Sequence, residues 1–258
     1  MTVAQTPLDE DKDGYAADAL ARAAVYRLLA GSLAFPSTRT RQLLRDEVFP
    51  VLTGLRTGSK DLDDSLLDAI AIHDDPLDGL RVTHGTVFTH IDSPDAPAYE
   101  SAYCPGDIFR QAEVMADIAG FYLAHGLAVG GLDRERPDHI ATELEFMAFL
   151  ARKQAHALLE LGLDEIEECE RTQRLFLSEH LGCWAQAFAA RLQIVGAATS
   201  FESIGRLLAQ WLATELDWFG VEPVVTWIEP KPIPDPDDGS CGIDGAGVVT
   251  TPVDLGGR

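Results

Sequence analysis

The chain is poor in lysine. Only Lys12, Lys60, Lys153 and Lys231 occur in 258 residues, and 20 basic residues stand against 42 acidic ones, a net charge of −22. Such a surface repels a phosphate backbone, which weighs against nucleic-acid binding. The acidity has two compatible readings: a solvated coat suited to high salt, or an acidic face that steers a basic partner segment. No run of eighteen apolar residues is present, so no membrane-spanning helix and no direct membrane insertion are expected. Met1 to Asp13 lacks the basic and apolar regions of a secretory leader, and the expectation is a cytoplasmic protein. Four cysteines (Cys104, Cys169, Cys183, Cys241) are widely spaced without a CxxC pair, consistent with reduced thiols.

Enzyme signatures are also missing. No Gly-Lys step exists for a phosphate-binding loop, and neither GxSxG nor HExxH occurs. None of the seven histidines has a glutamate three residues before it, as a di-iron bundle requires. No cofactor is expected.

What is present is helical periodicity. Residues 1–13 read as a flexible acidic leader, and 14–220 as one all-α helical-bundle domain. The spacing predicts helices over Tyr15–Phe35, from Thr38 or Thr40 to about Leu55, over Asp61–Ile72, and from Pro76 to about Phe88. Residues 91–106 carry Pro94, Pro97, Pro105 and Gly106 and read as a loop. Further helices are expected over Asp107–His125, from Pro137 to about Leu161 after a Gly130-Gly131 turn, over 165–195 with a join near Ser178–Gly182, and over Phe201–Trp218. Residues 221–258, rich in Pro, Gly and Asp, read as an irregular or disordered tail.

Three groups of residues are candidates for function. Glu135, His139 and Glu143 are spaced by four, so a continuous helix stacks them on one face. A histidine between carboxylates can bind a metal or act as a general base, which leaves a metal-assisted helical enzyme as an alternative. The plainer reading is a helix start, with Asp138 capping free N–H groups and His139 pairing with Glu143. The loop Pro97-Ala-Tyr-Glu-Ser-Ala-Tyr-Cys-Pro105 either packs on the core through Tyr99 and Tyr103 or grips a peptide. Trp184, Phe188, Trp211, Trp218 and Phe219 fall at helical spacing and read as core.

Three segments together resemble a known family. Glu135-Arg-Pro-Asp-His-Ile-Ala-Thr-Glu-Leu-Glu-Phe-Met147 is similar to the Glu-x-x-Asp-His-x-x-x-Glu-Leu-x-Phe-Met signature of the TorD/DmsD/NarJ maturation chaperones. Phe176-Leu-Ser-Glu-His-Leu-Gly-Cys-Trp184 resembles that family's next helix, and Ala23-Ala-Val-Tyr-Arg-Leu-Leu-Ala with Leu33-Ala-Phe-Pro36 its first. The resemblance covers about residues 15–220. It implies an all-helical chaperone, monomeric or dimeric, without enzymatic activity. Its partner is then the cofactor-free catalytic subunit of a molybdopterin (DMSO reductase-type) oxidoreductase, often met through a twin-arginine signal peptide. The resemblance points to a client groove at Asp138, His139, Pro97, Tyr99, Tyr103 and Tyr26, although Tyr99 stands where relatives often have tryptophan. Glu100, Glu135 and Glu143 add the negative charge that suits an arginine pair, since carboxylates bind guanidinium in a bidentate fork.

Overall fold

The computed structural model describes residues 11–88, 95–104, 108–127 and 135–223. The expected tail beyond residue 223 with its Cys241, residues 1–10 of the leader, the Gly130-Gly131 turn, and Pro94, Pro105 and Gly106 lie outside the described residues.

Helix α1 (Lys12–Leu33) starts earlier than its periodicity suggests, because Asp11 accepts a hydrogen bond from the Gly14 amide at 3.2 Å. It ends at Ala34, which is extended two residues before Pro36. Ser37 caps α2 (Thr38–Leu43), and a wider π turn at Leu44–Val48 joins it to α3 (Phe49–Leu52). Helices α4 (Lys60–Ala71) and α5 (Leu77–Val87) follow, with a short 3₁₀ turn at Ile72–Asp74 between them. Helix α6 spans Ile108–Ala124. Helix α7 spans Ile140–His156, and a π turn at Ala157–Leu161 extends it. Helices α8 (Leu163–Phe176) and α9 (Gly182–Val195) meet at a third π turn, Leu177–Leu181, where the expected join falls. A Cβ on Gly182 would stand 2.3 Å from the Leu177 carbonyl oxygen, so no larger residue fits this join. Helix α10 (Ser200–Phe219) ends on Gly220, whose φ of 61° is the left-handed cap conformation.

The core is built from the helices, with Ala96, Ala98 and Tyr103 of the loop added to it. Helix α1 lies along α7, and α10 packs on both α9 and α4. Leu28, Leu29, Leu144, Met147, Phe176, Trp184, Phe188 and Leu207 fill the centre. Each such side chain contributes about 1.5–3 kcal/mol through burial. Where α1 meets the end of α7, Ala16, Ala19, Ala155 and Ala157 form a second small cluster with Leu158 and Ile166.

Two expectations need correction. Trp218 is 61% exposed and is not core, because the buried seam of α10 steps by four residues through Trp211, Glu215 and Phe219. Helix α7 begins at Ile140, not at Pro137. The Ala98 carbonyl accepts from the Ile140 amide at 2.8 Å, and the Glu100 amide donates to the Asp138 carbonyl at 2.9 Å. This isolated antiparallel bridge between Tyr99 and His139 holds residues 138–139 outside the helix.

One buried network was not foreseen. Arg22 donates to both carboxylate oxygens of Glu215 at 2.7 and 2.6 Å, to Gln173 at 2.7 Å and to Gln154 at 3.2 Å. Tyr26 adds a hydrogen bond to Glu215 at 2.9 Å. The network ties together α1, α7, α8 and α10.

Candidate functional site

The bridge docks the loop at residues 97–103 against the start of α7, and the π turn at Leu177–Leu181 closes in from the other side. Polar side chains from all three meet there. Asp138 is wholly buried. Arg136 grips it in a fork, Nε to Oδ1 at 2.9 Å and Nη2 to Oδ2 at 2.8 Å, while the Ser101 amide donates to Oδ2 at 3.3 Å. Arg136 also donates to the Ser101 hydroxyl at 2.8 Å and lies over the Tyr99 ring at 4.6 Å. Asp138 is therefore occupied by its own chain. It anchors the loop and does not cap the helix.

The cap is His139. Its Nδ1 accepts from the Ala141 amide at 3.2 Å, which places the ring proton on Nε2. Burial holds its pKa down at about 4, against the opposing charges of Glu135 and Asp138, so the ring is neutral. The Tyr99 ring meets it edge-on at 5.1 Å, and the Tyr99 hydroxyl donates to exposed Glu135 at 3.4 Å.

Glu143 turns away from His139 into the interior. The Trp184 indole donates to its Oε2 at 3.2 Å. Burial, and then the charge of Glu100, push its pKa well above the usual carboxylate range. Glu143 lies beside Glu100, and neither Glu143 Oε1 nor Glu100 Oε2 has a hydrogen-bond partner among the described residues. Two carboxyl groups so placed in the interior are not both ionised, and the raised pKa of Glu143 makes it the protonated one. Glu100 is also raised by burial, with His180 opposing: its Oε1 lies 3.2 Å from His180 Nδ1. His180 Nε2 in turn faces Asp117 at 3.6 Å.

Glu100 and His180 form part of the floor of an open groove of about 870 Å³ between α6 and the π turn. Its walls carry the carboxylates of Glu113, Asp117, Glu179 and Glu222, with Arg110 as a cation. Tyr103 and Trp184 lie buried beneath it, and Val114, Cys104 and Cys183 line it as half-buried side chains. Tyr103 packs on Trp184 at 5.2 Å between ring centres. Burial pushes both thiols up to about 11, so both are protonated at neutral pH.

Of the residues singled out in the sequence, Glu100 and Tyr103 line the groove. Asp138 and Glu143 stand behind it as buried supports. Tyr99, His139 and Glu135 form a flanking patch, and Pro97 is buried in the docked loop. Tyr26 is fully buried in the Arg22–Glu215 network, which leaves it no surface to offer a ligand. Glu135, His139 and Glu143 do not come together as a ligand set, and no group of three or more His, Cys, Asp or Glu among the described residues is placed to hold a metal. Sequence reasoning missed Arg136, Ser101, Glu113, Asp117, Glu179 and His180. Arg136 and His180 both sit within the quoted motifs, and an unpaired charge beside a buried aspartate or glutamate is the signal that points to them. Among the described residues no helix is long and apolar enough to cross a membrane.

Comparison with known proteins bears on this arrangement. The family described as "Nitrate reductase delta subunit" matches residues 52–190, a span that contains the docked loop, the Asp138-His139 segment and Trp184. The chain is 33% identical over 110 residues to the "Chlorate reductase assembly chaperone protein" of Ideonella dechloratans, covering 43% of this chain and 55% of that protein. It is 27% identical over 204 residues to the "Perchlorate reductase assembly chaperone protein" of Dechloromonas aromatica (strain RCB), covering 77% and 89%. It is 25% identical over 181 residues to the "Chaperone protein TorD" of Vibrio atlanticus (strain LGP32), covering 68% and 83%. The first of these matches spans little more than half of the relative's length. The chain belongs to the nitrate reductase delta subunit family, the TorD/DmsD/NarJ group that its Asp138-His139 segment resembles.

Proposed function

We propose that this protein is a cytoplasmic assembly chaperone, a binding protein and not an enzyme. Its client is the cofactor-free catalytic subunit of a DMSO reductase-type molybdopterin oxidoreductase, held while the cofactor is inserted. The client segment it grips is cationic and then apolar, as a twin-arginine leader is. The observation that carries this reading is the groove, whose exposed carboxylates Glu113, Asp117 and Glu179 stand over the buried Glu100, Tyr103 and Trp184. Carboxylates at the rim steer and orient guanidinium groups, and Val114 and Ala116 offer apolar contact to the stretch that follows. Asp138 and Arg136 act behind the groove, by fixing the loop that presents Glu100 and Tyr103. The relatives' names as reductase assembly chaperones support the same client class.

The test is calorimetric titration of a twin-arginine leader peptide into the full chain and into a Glu113→Gln, Asp117→Asn, Glu179→Gln variant. Loss of three partly exposed charges weakens binding by about 10-fold, at roughly 0.2–1 kcal/mol each. A lysine-for-arginine peptide binds more weakly than the arginine peptide. Equal affinity of the variant and the wild type would place the leader elsewhere. Binding of the client subunit without its leader, at undiminished affinity, would favour a chaperone whose client is not exported.

A further inference from the structure

A second cavity shares no lining residue with the acidic groove. It lies between the C-terminal end of α1, α2, the turn at Ile72–Asp74, α5 and the start of α10. We propose that this cavity is a binding site for a small oxyanion, a phosphate or a carboxylate group, held by the guanidinium of Arg41.

The cavity is small, about 30 Å³, and its apolar walls are Leu77, Leu80, Phe201 and Ile204. Arg41 supplies its charge. Both Nε and Nη2 of Arg41 are closed off from solvent, and neither has a hydrogen-bond partner in the protein. Guanidinium donors enclosed without acceptors are costly, and native proteins satisfy them with a carboxylate, water or a bound anion. Among the described residues no acidic side chain lines the cavity. No described carboxylate thus serves as its counter-ion there.

Of the remaining polar groups, the Ser37–Thr40 pair and Ser200 can act as donors. Ser37 Oγ and Thr40 Oγ1 are 2.8 Å apart, so one hydroxyl proton is used between them and the other is free to turn towards a ligand. Ser200 opens the 20-residue helix α10, whose positive dipole end therefore lies at the cavity. Ser32 donates to the Leu28 carbonyl at 2.8 Å and so accepts from His73 Nε2 at 2.9 Å. Burial, then the positive charges of Arg41 and Arg45, hold the His73 pKa at about 4, with Asp74 opposing. Arg45 is itself engaged outside the cavity, with Asp74 and the His73 carbonyl at 3.0 Å each. A planar fork of N–H groups, a free hydroxyl and a helix start form a receptor for an anion with two or more oxygens. The size excludes a nucleobase.

His73 serves as the reporter, because an anion on Arg41 offsets the charge that depresses its titration. The experiment titrates the full chain with inorganic phosphate, and separately with acetate, at constant ionic strength. His73 is followed by NMR and the melting temperature by calorimetry. The expected result is a His73 pKa raised by the anion, and a melting temperature higher by about 3 °C at tenfold excess over Kd. The stronger of the two arms tells a phosphate ligand from a carboxylate. Arg41→Gln abolishes both responses, whereas Arg39→Gln, an exposed change on the same helix, keeps them. The variant folds readily, because it removes an uncompensated charge, and melts no lower than the wild type in anion-poor buffer. A His73 titration that ignores both anions, or equal responses from wild type and Arg41→Gln, overturns the proposal.

Discussion

Two buried polar clusters, one at Arg22 and one at Glu100, face the same cost of taking charge out of water and meet it differently. Around Arg22, the carboxylate of Glu215 takes two guanidinium donors and the Tyr26 hydroxyl, while Gln154 and Gln173 take the rest. That cluster has no opening and no missing partner. Around Glu100, the carboxyl of Glu143 stays neutral, Glu100 Oε2 has no hydrogen-bond partner among the described residues, and His180 Nε2 has only a long ion pair to Asp117. This second cluster sits on a groove. A fully satisfied network binds helices together, and a partly satisfied one beside a groove is a candidate for ligand binding.

The sharpest way to break the comparison is Glu215→Ala. It leaves Arg22 buried without its ion partner, which costs about 3–5 kcal/mol. Urea denaturation is expected to show that loss, with leader-peptide affinity unchanged wherever the variant remains folded. A loss below about 1 kcal/mol would mean that the Arg22 cluster is no more structural than the one at the groove.

Much of the fold is legible in the sequence, because the signals that end these helices are local. Pro36 and Gly220 end α1 and α10 near where the residues suggest, and the join at Leu177–Leu181 falls where Ser178 to Gly182 predicts it. The start of α7 is not legible. Its Ile140 amide is taken by Ala98 on a distant loop, and helical periodicity carries no trace of that pairing. The same long-range docking decides the site. The four-residue spacing of Glu135, His139 and Glu143 suggests one face, yet bridge and burial send them to three different surroundings. Glu100 and Tyr103 can be read from the loop's composition. Glu113, Asp117 and Glu179 look like ordinary solvated helix charges until α6 and the π turn are set side by side.

A smaller effect separates the clusters by pH. The folded His139 pKa of about 4 lies below its ordinary value of 6.5, so unfolding takes up a proton between those values. Stability from this group is full above pH 6.5 and is lost as pH falls towards 4. The groups facing the ring are Glu135, Asp138, His84 and Arg136. His139→Asn retains a side chain able to cap Ala141 and cannot titrate. The drop in stability between pH 7 and pH 5 is therefore smaller in the variant, by at most about 2 kcal/mol. His73 maintains part of the acid loss in both proteins. Identical drops in the two would show that His139 is not held neutral by burial.

The smallest expected change at neutral pH is that of Glu143→Gln, and its sign is the informative part. The folded pKa of Glu143 is raised, so its contribution is full below the ordinary carboxylate value near 4.5 and falls away as pH rises through the folded value. Glutamine reproduces the protonated acid: its carbonyl accepts from Trp184 and its amide donates to Glu100. The variant is expected to lie within about 1 kcal/mol of the wild type near pH 5 and to gain on it steadily towards pH 8. Urea midpoints across that range measure the difference. A variant destabilised by more than about 2 kcal/mol at every pH would mean that Glu143 is ionised in the fold. In that case the two clusters meet the cost of burial in the same way, and the proton between Glu100 and Glu143 no longer distinguishes the groove.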